Sequence, residues 1–195
     1  MKKYFDELLN MFKNSFDSID EKKFNELLND CTDTLKAGKK IILSGLGKNV
    51  PVCDKFVGTM TSLGLDARFM NTNSAVHGDL GMVQKGDLVI ILTKSGATSE
   101  SVYLYNLLQQ RECTLWCLTF EKEGYLAQKM DKALIVELEH EGDKWNLVPN
   151  NSTTLNLIVL QMLAMRIADV MDVSLQEFKI NHPGGHIGEV LKNEP

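Results

Sequence analysis

The sequence predicts an α/β protein built around a parallel sheet, and two observations carry that prediction. Five short segments of strand character, near 41–44, 65–70, 88–92, 114–119 and 133–138, alternate with segments of helical character. The runs Ile41-Ile42-Leu43 and Leu88-Val89-Ile90-Ile91-Leu92 are continuously apolar, as expected of strands covered on both faces. Right-handed crossovers are then the economical connection between them.

The elements follow in order. Phe5, Leu8, Leu9 and Phe12 stand at helical spacing within 3–16. A second helix is expected from about Asp20 to Ala37, with Phe24, Leu27, Leu28, Cys31 and Leu35 on one face and Gly38 as its stop. These helices form an N-terminal extension, 1–38, whose apolar faces need a partner. After the first strand a helix is expected from Pro51, a residue suited to a first helical turn, to about Leu63. A helix over Thr98–Gln110 and a short one over Tyr125–Met130 separate the later strands. The stretch from Ser152 to Met171 is apolar nearly all round, which marks a helix buried within the domain or between subunits. Ser174 and Glu177 have capping-box spacing, and His182-Pro183-Gly184-Gly185 ends that last helix before a tail. No repeat or linker interrupts the chain, so 1–195 reads as a single domain with its core and C-terminal tail over 39–195.

Composition narrows the function. With 44% hydrophobic and 24% charged residues the chain is globular rather than disordered. A net charge of -5 and the lack of a basic stripe argue against a nucleic-acid partner. No apolar run reaches bilayer length, and Met1–Asn14 is charged and helical rather than signal-like, so no membrane partner and a cytoplasmic location are expected. Cys31, Cys53, Cys113 and Cys117 form no CxxC pair and read as packing residues.

Chemistry concentrates at strand ends. Ser44-Gly45-Leu46-Gly47-Lys48 follows the first strand, where glycines admit a ligand close to the backbone. It lacks the third glycine of a dinucleotide fingerprint and the spacing of a P-loop. Ser95-Gly96-Ala97-Thr98-Ser99-Glu100 joins a strand to a helix start, where hydroxyls, unpaired N–H groups and the helix dipole can hold a phosphate. Helix capping by Thr98 is compatible with that use. Asn150-Asn151-Ser152-Thr153-Thr154 opens the long helix with a second polar cluster. His77 and His182 lie among glycines in loops, Glu141 precedes the long helix, and the histidine spacing matches no metal motif.

The ordered set of motifs resembles the sugar isomerase (SIS) family, in its arabinose-5-phosphate isomerase branch. Gly45-Leu46-Gly47-Lys48 is similar to that family's GMGK, and Ser74–Met82 to its histidine loop. Ser95–Glu100 resembles its phosphate loop, Val148–Thr154 its APTSSTT, and Asn181–Gly188 its HPGG segment. Departures fall at Asn49-Val50-Pro51, Ala97, Trp145, Asn150-Asn151 and His186, and they bear on which sugar is used. Many relatives carry two further CBS domains; this chain resembles the stand-alone form.

The resemblance implies a three-layer αβα sandwich with a five-stranded parallel sheet, self-association as a dimer or tetramer, and a small phosphosugar substrate. It implies aldose–ketose isomerisation through an enediol with no cofactor and no metal. The family's active-site residues fall on Lys48, His77, Glu100, Glu141 and His182. Glu141 is expected as the base, with Glu100 as the alternative, Lys48 against the oxyanion or a phosphate oxygen, and His182 as a proton shuttle or ring opener. His77 is expected to position a hydroxyl, and Ser95, Thr98, Ser152 and Thr153 to hold the phosphate. Ser44, Gly45, Gly47 and Gly96 complete the expected substrate-binding set. Two alternatives stand beside this reading: a phosphosugar sensor without turnover, and an isomerase of another sugar phosphate.

Overall fold

The computed structural model describes residues 1–192. Helices α1 (Lys2–Asp17) and α2 (Glu21–Lys36) precede strand β1 (Ile41–Gly45). There follow α3 (Val50–Ser62), β2 (Ala67–Asn71), β3 (Leu88–Leu92), α4 (Ser99–Leu108), β4 (Thr114–Thr119), α5 (Tyr125–Lys129) and β5 (Ala133–Ile135). Helices α6 (Asn151–Val170), α7 (Leu175–Asn181) and α8 (Gly185–Leu191) follow the last strand. Single 3₁₀ turns lie at Gly47–Asn49, Ala75–His77 and Asp79–Met82.

The sheet has five strands in the order β2-β1-β3-β4-β5, and every pairing is parallel. Leu43 sits between Phe69 on one side and Ile90 on the other. The strand period of two sorts the side chains into separate cores. Ile41, Leu43, Leu88, Ile90, Leu92, Trp116 and Leu118 pack with α2, α3 and α6. Ile42, Val89, Ile91 and Cys117 pack with α4 and α5 on the other face. The expected three-layer α/β arrangement with a parallel sheet is therefore what the chain adopts.

Local signals explain most boundaries. Asp20 caps α2 by accepting from the N–H groups of Lys22 and Lys23, at 2.8 and 3.2 Å. The Ser174 capping box on α7 is formed. The buried Trp116 donates its indole N–H to Asp30 at 2.7 Å, and Lys132 binds the same carboxylate at 2.6 Å. That links α2 to β4, so this half of the N-terminal extension belongs to the core. The half-buried Phe12 and Phe16 of α1 pack there too, while Phe5 and Leu9 nearer its start stay exposed.

Four expectations need correction. Strand β5 ends at Ile135 rather than 138, because the chain then turns toward the α1–α2 corner, where Glu137 N–H bonds Ser18 Oγ at 3.0 Å. The segment after His182 is not a plain tail but forms α8, anchored by the buried Leu191; its two glycines conceal that helix in the sequence. Helix α6 is not buried all round, since Ile158, Met162 and Met165 are exposed. Its 20 residues and mean hydropathy of 1.3 do reach bilayer length, but its inner face, including Leu155, Val159 and Leu163, is part of the core. Residues 193–195 of the expected single domain lie outside the described residues.

The amino ends of β1 and β3 are clamped by Asp87, whose buried carboxylate takes Lys40 Nζ at 2.7 Å and Gln84 N–H at 2.7 Å. Burial opposes its charge. The Lys40 ammonium and the backbone donors outweigh burial and hold its pKa below the ordinary value of 3.8. A depressed carboxylate stabilises the fold above its unfolded pKa, and that stabilisation is lost as pH falls through the folded value. Asp87→Asn should therefore cost about 3 kcal/mol at neutral pH, by urea unfolding. The variant should also lose less further stability than wild type on acidification below about pH 4.

Candidate active site

The order of the sheet decides where a site can form. From β1 the chain moves to β2 on one side, then returns past β1 to β3 on the other. The carboxyl ends of β1 and β3 thus flank the switch point, where crevices open in α/β sheets. A cavity of about 240 Å³ lies there, smaller than the roughly 300–1,000 Å³ of drug-sized sites. It is walled by Leu46–Asn49 after β1, by Leu92–Lys94 and Thr98 after β3, and by Ser152, Thr153 and Asn156 of α6.

After β1 the chain passes through the Gly47–Asn49 turn into α3. A Cβ at Gly45 would lie 3.1 Å from Asn49 Cβ and from Cys53 Sγ, so glycine lets the helix start pack on the strand end. That turn delivers Gly47 and the exposed Lys48 to the cavity wall. Lys48 has no acidic partner among the described residues, which leaves its ammonium available to an anion.

After β3 the loop reverses at Gly96, with φ of +63° and its Cα packed under Gly124. Thr98 takes the N-cap position of α4, but its side chain makes no capping bond. Its hydroxyl instead lies 3.4 Å from that of Thr93, and both line the cavity. This helix start is therefore open toward the cavity.

The start of α6 is organised differently. Glu141 is fully buried, and its carboxylate accepts from Ser152 Oγ at 2.7 Å, Ser152 N–H at 2.9 Å and Asn150 N–H at 3.0 Å. Lys94 Nζ lies 2.8 Å from the same group. Burial works against the charge, yet Lys94, Ser152 and Asn150 together hold the pKa below the ordinary 4.5. The positive end of the α6 dipole is thus already matched by a carboxylate of the chain itself. The expectation that both helix starts offer free donors to one phosphate is corrected: Ser152 spends its N–H and hydroxyl on Glu141. Thr153 donates its hydroxyl to Asn150 O at 2.8 Å.

Of the residues expected from sequence, Gly47, Lys48, Thr98, Ser152 and Thr153 line the cavity. Glu141 stands behind its wall, in contact through Lys94 and Ser152. The others are placed elsewhere. Ser44 is buried on the opposite face of β1 from Leu43 and bonds Thr72 Oγ1 at 3.0 Å. Gly45 and Gly96 serve chain packing, as described. Ser95 is exposed and accepts from Ala97 N–H at 3.2 Å. Glu100 lies on the outer side of α4, bonded by Ser99 Oγ at 2.8 Å. Its own N–H and Ser99 lower its pKa. His77 is exposed on the turn after edge strand β2, outside the cavity wall.

His182 departs furthest. Its ring stacks on Phe178 with centroids 4.0 Å apart, and its Nε2 lies 2.8 Å from Ser62 Oγ. Ser62 ends α3, whereas Lys48 precedes its start; at 1.5 Å per residue the helix separates them by roughly 20 Å. The structure of one chain therefore does not bring His182 to Lys48.

Sequence reading missed Lys94, Ser101 and Asn156, all on the cavity wall, and noted Asn49, which also lines it, only as a departure from the family pattern. Lys94 had a signal, because it directly precedes Ser95 in the loop already singled out. Asn156 had a fainter one, as the only polar residue between Leu155 and Leu160 of an apolar helix.

Comparison with known proteins agrees with this architecture. The chain is 32% identical over 180 residues to the arabinose 5-phosphate isomerase of Pseudomonas aeruginosa, covering 92% of this chain and 55% of that protein. It is 30% identical over 185 residues to the enzyme of that name from Francisella tularensis, covering 95% of this chain and again 55% of the relative. The chain thus spans about half the length of the curated relatives it matches. A solved protein of Escherichia coli CFT073 in complex with arabinose 5-phosphate superposes with a TM-score of 0.85 at 27% identity, over 93% of this chain and 95% of that one. The family model described as SIS domain matches residues 34–166, which hold the whole sheet and the cavity between β1 and β3, and the chain belongs to that family.

Proposed function

We propose that the chain is an aldose–ketose isomerase that interconverts arabinose 5-phosphate and ribulose 5-phosphate. One observation carries the proposal. A single small cavity at the switch point has an unpaired cation, Lys48, an open helix start at Thr98, and a Lys94–Glu141 pair behind it. Those are the parts needed to anchor a dianionic ester and to move a proton beside it. The names of the relatives support the same substrate. Cytoplasmic work as one domain on small phosphosugars, with no nucleic-acid or membrane partner, fits this reading.

The chemistry balances without a change in oxidation state overall. A base takes the proton from C2 of the aldose, and the electron pair forms the C1–C2 double bond of an enediol. Proton transfer between O1 and O2, with return of a proton to C1, gives the ketose. Lys48 and the α4 start hold the phosphate. Lys94 offers positive charge to the oxyanion that develops at the carbonyl oxygen.

Glu141 is the base in this reading. While paired with Lys94 its carboxylate is a weak base, since a general base works best with a pKa near the working pH. The carbonyl oxygen of the bound sugar competes for the Lys94 ammonium, which weakens the pair and raises the basicity of Glu141. Substrate entry would thereby switch on its own base. His182 can take part only from a second copy of the chain, because α3 holds it far from Lys48 within one copy. The exposed stripe Ile158, Met162 and Met165 on α6 supports such self-association.

Incubation with arabinose 5-phosphate and ribulose 5-phosphate in deuterated water should show exchange at C2 by NMR. Thermal stabilisation by these sugars with no exchange would favour a sensor instead. Glu141→Gln should lower kcat by about 10²–10⁴-fold, and near wild-type turnover would refute the assignment. The acid limb of kcat should lie at higher pH than that of kcat/KM, as expected if substrate loosens the Lys94 pair. Lys48→Ala and His182→Ala should each be inactive and regain activity when mixed as assemblies. Absence of recovery would count against a shared site.

A further inference from the structure

Among the described residues, the buried side-chain polar atoms without a hydrogen-bond partner are Ser101 Oγ and Asn156 Oδ1. Proteins rarely leave such atoms unpaired, because the lost hydration is not replaced. Here the two residues are 0% and 1% exposed, come from different helices, α4 and α6, and line the same cavity. Neither the sequence motifs nor the acid–base reading assigns them a role.

The orientation of Asn156 follows from a fixed point in the backbone. The carbonyl of Leu92 can only accept, and Asn49 Nδ2 faces it at 3.5 Å. Asn49 Oδ1 is then left to accept from Asn156 Nδ2 at 3.2 Å. That bond turns the Asn156 amide nitrogen toward Asn49 and leaves its oxygen, which can only accept, as the atom of this wall residue without a partner. An acceptor oxygen repels a phosphate dianion, which has no proton to give. It suits a group that donates. Ser101 Oγ can donate or accept, so it tolerates the same kind of partner.

We infer that Asn156 and Ser101 form a hydroxyl-reading wall of the cavity. Asn156 Oδ1 accepts from a hydroxyl on the ligand's carbon chain, and Ser101 Oγ pairs with a hydroxyl beside it. The ligand class is an ester of phosphate with a hydroxylated carbon chain. Its anion lies toward Lys48 and Thr98, and its neutral hydroxyls lie toward Asn156 and Ser101. The inference rests on the phosphosugar reading of the cavity and adds to it the residues that select the sugar. A wall that bonds a hydroxyl disfavours analogues lacking it, because its own polar atoms are then left unpaired.

Calorimetric titration of wild type, Asn156→Leu and Ser101→Ala with arabinose 5-phosphate and with inorganic phosphate tests this. Each variant should bind the sugar phosphate about tenfold more weakly while its affinity for inorganic phosphate stays within about twofold. Ser101→Ala removes one atom and keeps the test intact if Asn156→Leu disturbs folding. Parallel loss for both ligands would overturn the inference. Unchanged affinity for both, the result expected if water alone completes these atoms, would overturn it as well. So would a wild type that binds the sugar phosphate no better than phosphate. Isomerase activity is read separately: absent C2 exchange with intact hydroxyl discrimination refutes the catalytic reading and leaves the wall standing, and the reverse pattern does the opposite.

Discussion

The buried carboxylate of Glu141 is the interaction on which the cavity depends. It ties the first turn of α6 to Lys94, which leaves the end of β3, and so holds two walls that come from distant parts of the chain. A buried charge is tolerated only when its partners are in place. Glu141 meets that condition with donors from Asn150 and Ser152 and an ammonium from Lys94. The loop ahead of the helix is shaped for the same purpose. Asp143 accepts from the N–H groups of Trp145, Leu147 and Val148, which folds the loop back so that Glu141 reaches the helix start.

This arrangement divides the labour between the two helix starts. The α6 dipole is answered from within the chain, whereas the α4 start keeps its Thr98 hydroxyl toward the cavity. The unpaired cation, Lys48, and the open α4 start thus stand apart from the neutral groups left without partners, the Asn156 amide oxygen of α6 and the Ser101 hydroxyl of α4. A ligand with an anionic end and a polyol body matches that polarity. In the proposed reaction Lys94 has two competing partners, its own acid and the oxygen of the reacting carbonyl, which links binding to the state of the acid.

Helix α3 acts as a spacer. Its start carries Lys48 to the cavity, and its end holds His182 through Ser62. Because α3 is rigid and packed on β1 and β2, no small local motion brings those two residues together in one chain. The HPGG segment is also fixed on its own side: Gly188 sits where a Cβ would lie 2.8 Å from the His182 carbonyl. A second copy is the geometric route by which His182 could meet a cavity, and the apolar stripe on α6 is a surface on which copies could pack.

The parallel sheet, the helix order and the loops that bear chemistry are all legible in the order of residues. Each rests on local rules: apolar runs for doubly covered strands, caps at Asp20 and Ser174, and glycines where the chain must turn. The sequence also named Lys48 and Thr98, in loops that follow strand ends and so face the crevice in such sheets, and Ser152, from the polar cluster that opens the long helix. That Ser44 turns inward to Thr72, that Glu141 claims the donors of Ser152, and that His182 docks on Ser62 emerges from the folded chain. It alone revealed Lys94, Ser101 and Asn156 as wall residues, since Asn156 reads as one polar residue lost in an apolar helix. The physical reason is the same throughout. Local sequence sets the conformation of each segment, but which atoms are left without a partner depends on contacts between segments far apart in the chain.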